Sequence, residues 1–103
     1  MGKPLDGYSL GQVVVSTRGK DAGHTYVIVG FKEPNRVGVA DARCSNVSRP
    51  KYKNPKHVLA TPHRALQFLP SIEGGKDINH GEFHRFMRTL EEKRLNGSGQ
   101  EGR

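Results

Sequence analysis

Between Arg43 and Lys56 the chain carries Arg43, Arg49, Lys51, Lys53 and Lys56, and no acid follows Asp41 until Glu73. Cations without an interleaved carboxylate suit a polyanion, because each Lys or Arg that neutralises a phosphate also releases condensed counterions. Tyr52 stands among them, and its ring offers a face for a base or ribose, worth ~1–3 kcal/mol where a base stacks. Arg18 and Lys20 form a second basic point in the stretch TRGKDAGH, where Asp21 partly offsets them. His57, His63 and Arg64 follow the basic loop; an imidazole there, neutral or protonated, can also meet a phosphate.

Other chemistries find less to work with. His80 and His84 are four apart, a spacing that puts two imidazoles on one face of a helix, but two ligands seldom hold zinc and no HExxH pattern is present. Cys44 has no adjacent His or acid to make it a nucleophile, and as the single cysteine it has no disulfide partner. The residues therefore point to no catalytic site, no metal and no cofactor, and the core has no covalent or metal staple.

The charge is unevenly spread. Residues 8–65 hold ten basic side chains against three acids (Asp21, Glu33, Asp41), an excess equal to the net +7 of the whole chain, while residues 66–103 are balanced. That excess favours polyanionic partners and says nothing about fold. A hydrophobic content of 33% and a mean hydropathy of −0.70 are low for a packed protein. One modest core with an appendage is expected from 103 residues. No apolar run approaches the roughly 18 residues of a membrane span, and MGKPLDGYSL lacks the apolar stretch of a signal peptide, so a soluble cytoplasmic protein is expected.

The elements that must position these residues are mostly strands. Gln12–Ser16 and Thr25–Phe31 are β-branched and aromatic runs separated by the glycine-bearing turn, with Gly19 and Gly23 available for positive φ. EPNR is turn chemistry ahead of a third strand, Val37–Asp41, and His57–Thr61 is the candidate closing strand. A meander this short hides its apolar face by curling into a small barrel. The proline-bearing residues 42–56 are predicted to be an exposed loop. Further on, Phe83, Phe86, Met87 and Leu90 recur at helical spacing within residues 79–95, with Asn79 as N-cap and Asn96-Gly97 as stop. That stripe either packs on the barrel or meets a protein partner. The predicted plan is an N-terminal extension (1–9), a barrel (10–65), a connecting segment (66–78), an amphipathic helix (79–95) and a disordered tail (96–103).

The run VVVSTRGKDAGHTYVIVGF resembles a KOW motif: an apolar strand, a polar and basic turn, a glycine at the motif's fixed position (Gly23), then a second apolar strand. The following ADAR, the Lys- and Pro-rich loop and HVLATP are most similar to bacterial stand-alone KOW proteins related to an archaeal and eukaryotic large-subunit ribosomal protein. The resemblance covers roughly Leu10 to Pro62 and implies a mainly β fold, an SH3-like barrel, that binds structured RNA in or near the ribosome without catalysis. Gly19 and Gly23 are then scaffold. The expected partner is ribosomal RNA of the large subunit, with ribosomal proteins or translation or transcription factors as further partners, and the location is the ribosome in the cytoplasm. A protein-interaction adaptor working through the barrel or the helix is the alternative, and a metal-dependent enzyme would rest on the histidines alone.

Overall fold

The computed structural model describes residues 5–101, with side chains as far as residue 93; residues 1–4 of the N-terminal extension and the last two of the tail lie outside that range. Five strands form one antiparallel sheet: β1 (Gln12–Ser16), β2 (Thr25–Lys32), β3 (Arg36–Ala40), β4 (Lys51–Lys53) and β5 (Val58–Arg64). They lie in the order β4-β3-β2-β1-β5. The predicted hairpin and meander are present, with Val13 opposite Val27 and Lys32 opposite Arg36. The candidate closing strand pairs with β1 and reaches Arg64, but β4 and β5 remain the two edges, so the sheet is not closed.

The central strand decides how the sheet is covered. Tyr26, Val27, Ile28 and Val29 are buried in succession, so β2 is apolar on both faces. On one face Tyr26 and Ile28 join Val14, Val37, Val39 and Val58. On the other, Val27 and Val29 join Val13 and Ala40 and meet Phe68, Ile72, Ile78, Phe83 and Met87. Register irregularities between Gln12 and Val14 and between Ile28 and Gly30 bend the strands.

Four segments carry structure that the sequence reading did not give. Within residues 42–56, predicted as loop, β4 pairs with β3 and a 3-10 turn covers Pro55–His57, capped by the Asn54 side chain, which accepts from the Lys56 N–H at 2.9 Å. Tyr52 of this strand lies close over Gly38: a Cβ at Gly38 would stand 3.2 Å from Cε1 of that ring. The connecting segment is not featureless either. A 3-10 turn at Leu66–Phe68 runs into α1 (Leu69–Glu73), burying Phe68 and Ile72, and Pro70 sits in the first turn, where its missing N–H costs nothing. Residues 5–9 are not a free extension: Leu5 and Tyr8 pack on the sheet, and the Tyr8 hydroxyl donates to the Pro55 carbonyl at 2.8 Å.

The fourth difference is the end of the long helix. α2 (His80–Glu101) starts where expected, with Asn79 Oδ1 accepting from the Glu82 N–H at 3.0 Å, but its backbone runs past Asn96-Gly97 into the residues predicted as tail. A glycine costs a helix interior only about 1 kcal/mol, and propagation from a formed helix is cooperative, so the stop signal is weak. The apolar stripe packs inward: Phe83 and Met87 are buried, and Phe86 and Leu90 lie against the same cluster. Phe68 meets Phe83 and Phe86 edge-on, at centroid distances of 5.8 and 5.3 Å. Phe83→Ala is expected to cost about 3–5 kcal/mol in urea unfolding; a loss near zero would mean that α2 does not help cover the sheet.

Candidate nucleic-acid interface

Two carboxylates organise the loops that carry the cations. In the β1–β2 turn, Gly19 and Gly23 adopt φ of +85° and +90°, a conformation glycine takes without steric cost. The turn presents Asp21, whose carboxylate accepts from the Ser16 hydroxyl (3.0 Å) and the Tyr26 hydroxyl (2.6 Å) and pairs with Lys53 Nζ (2.8 Å). The Lys53 ammonium, followed by the Tyr26 and Ser16 hydroxyls, holds the Asp21 carboxyl well below the usual carboxylate range against the effect of burial. Burial and the facing Asp21 push the Tyr26 phenol up.

Asp41, buried at the end of β3, organises the second loop. Its Oδ1 accepts from the Ser45 hydroxyl (2.8 Å) and the N–H groups of Arg43 (3.0 Å) and Cys44 (3.3 Å), and its Oδ2 lies 2.9 Å from His24 Nε2. Burial would raise the Asp41 pKa; the donors from Ser45, Arg43, His24 and Cys44 outweigh it and lower it. Ala42 takes the left-handed φ of +75° that this tight turn demands. The turn is then fastened to the chain ahead of α2. Asn46 exchanges two 3.0 Å hydrogen bonds with the Ile78 backbone, and Ser48 donates twice to Asp77, at 2.8 and 3.0 Å.

The cations read in the sequence as one loop are thereby divided. Arg43 and Arg49 are exposed and border a depression that His80 of α2 also lines. Exposed Lys56 and half-buried His57 lie at the other end, where the Thr17 N–H donates to the His57 carbonyl at 2.8 Å and brings in the turn carrying Arg18 and Lys20. Lys51 is exposed on β4, its Nζ 5.7 Å from the Tyr26 ring centroid. Lys53 is the exception among the candidates, since Asp21 already neutralises it. His63 and Arg64 are exposed on β5, where Arg64 donates to the Leu10 carbonyl at 3.1 Å.

Tyr52 is 46% exposed, yet it rests on Gly38, and Lys32 Nζ sits 4.8 Å from its ring centroid. A base could stack there only by displacing Lys32, a cation sequence reading did not single out. The rings of His80 and His84 stack at 6.0 Å; among the described residues no group of three or more His, Cys, Asp or Glu is placed to hold a metal. Sequence reading also missed the third member of that helix stripe, Arg88, which borders a cleft with Arg43 and His84. Its spacing of four from His84 was the available signal. In comparison with known proteins, the chain matches no family model and no curated protein.

Because the carboxyls of Asp21 and Asp41 titrate lower in the folded chain, the stability they confer is present above the ordinary carboxylate value of about 3.9 and is lost as pH falls through their folded-state values. Asp21→Asn is therefore expected to melt well below wild type at neutral pH and to approach it as pH drops below about 4. Melting curves across that range check this, and a gap independent of pH would contradict it.

Proposed function

We propose that this chain is a non-enzymatic RNA-binding protein built on an SH3-like, KOW-type barrel, a ribosomal or ribosome-associated protein of the cytoplasm that docks on large-subunit ribosomal RNA. The observation that carries the reading is the fate of the acids. Of the three in residues 8–65, Asp21 and Asp41 are spent on internal donors, while Arg18, Lys20, Arg43, Arg49, Lys51 and Lys56 all face solvent. A surface made only for solubility mixes both signs; here, of the three carboxylates, Glu33 alone stands exposed among the cations. Cations at several separate points, on the turns and on β4, suit recognition of RNA by shape and backbone, the usual mode for duplex RNA. The bend of the sheet and the Gly23 turn support the barrel reading, and the resemblance of residues 10–62 supplies RNA as the polyanion.

The adaptor reading keeps one observation in its favour. Leu59 and Leu66 are 62% and 59% exposed beside the open edge of β5, whereas the helix stripe is occupied by packing. A purified protein partner bound after nuclease treatment, and lost on Leu59→Glu, would favour it.

Arg49→Glu, Lys51→Glu and Lys56→Glu combined, with Lys53 left in place, are expected to abolish binding to ribosomal RNA while preserving the melting temperature. Wild-type binding is expected to fall steeply with salt, and the protein to sediment with large ribosomal subunits at low salt. Undiminished binding by the triple variant would overturn the site assignment.

A further inference from the structure

Where α2 crosses the Asp41–Ser45 turn, a narrow cleft opens beside the sheet. Arg43, His84 and Arg88 line it, with Thr25 and His24 also on its wall. Its volume of about 20 Å³ exceeds the roughly 10–15 Å³ that one water-sized group needs. Thr25 is 3% exposed, and its hydroxyl oxygen is the one buried side-chain polar atom with no hydrogen-bond partner among the described residues. Thr25 lines this space, and an orphaned hydroxyl costs stability.

The charges around the cleft favour an anionic oxygen. Two carboxylates also border it, Asp41 and Glu91. Asp41 is already saturated by Ser45, His24 and two backbone N–H groups, so its charge is largely compensated. Glu91 shares the lining with two guanidinium groups. Arg88 is held only loosely, by an exposed 3.9 Å pair with Glu92, and such pairs contribute little. Arg43 also borders the depression lined by Arg49, His80 and Asp77, so the same guanidinium serves both spaces between loop and helix.

We propose that this cleft is a phosphate subsite for RNA backbone: one non-bridging oxygen enters toward the Thr25 hydroxyl, and Arg43 and Arg88 bracket the phosphate from the loop and from α2. The inference rests on the RNA-binding reading above and extends it by making the helix part of the interface. His84 serves as a further donor on the helix side. The fork of a guanidinium matches phosphate oxygens in pairs.

The test uses the full chain and a fluorescent RNA hairpin of mixed sequence, titrated over a salt series. Arg88→Gln is expected to weaken binding several-fold and to flatten the log–log salt dependence by about one unit, as loss of one phosphate contact does. Thr25→Val is expected to weaken binding while raising the melting temperature, a pairing that a purely structural hydroxyl would not give. If wild type binds the hairpin and both variants bind equally well, the cleft holds only water and the subsite is overturned, with the RNA reading intact. If wild type itself fails to bind RNA, both fall. If inorganic phosphate at matched ionic strength protects wild type against melting as well as the hairpin does, and Arg88→Gln removes that protection, the site is one for free phosphate and the RNA assignment is overturned.

Discussion

A strand that is apolar on both faces has to be covered twice, and β2 imposes that requirement on the rest of the chain. Tyr26 through Val29 leave no polar side for solvent. The remaining strands, with Leu5, Tyr8, Leu10 and Phe31, enclose one face. Phe68, Ile72, Ile78 and the inner stripe of α2 enclose the other. So small a sheet could not bury either face by itself. The segments after residue 65 and before residue 10 are thus structural parts of the unit.

The same economy applies to charge. Asp21 stands within the β1–β2 turn and Asp41 at the end of β3, and each gathers donors that would otherwise be left unpaired. Asp21 ties the β1–β2 turn to the edge strand β4 through Lys53. Asp41 ties the end of β3 to His24 and to the turn at Ser45. Their negative charge is spent on folding, and the cations on the same loops are left outward. Folding and surface potential therefore come from one arrangement: the residues that hold the loops in place are those that would have screened the basic surface.

The double cover also changes the shape of the basic region. A free loop would present its cations as one flexible cluster. With Tyr52 seated on Gly38 and Asn46 and Ser48 fastened ahead of α2, the cluster becomes separate points held at fixed positions. Fixed points lose less ordering entropy on docking than a mobile loop does.

Strand identity, the hairpin, the meander, the start of α2 and its packing stripe were all legible from residue type and period, because burial selects β-branched runs at period two and apolar residues at 3.6. The uneven charge was legible by counting. Sequence could not show that β4 lies inside the proline-bearing loop, since its three residues form a strand by pairing with β3, with Tyr52 seated over Gly38. Nor could it show that Lys53 belongs to Asp21, or that Arg88 faces Arg43. Those pairings join residues more than thirty positions apart, and spacing along a chain carries no information about contacts made across a sheet. The sequence by itself determined that the excess charge is positive and confined to one half of the chain; only the tertiary structure decided which of those cations are spent inside and which remain for a partner, because that depends on where the carboxylates come to rest.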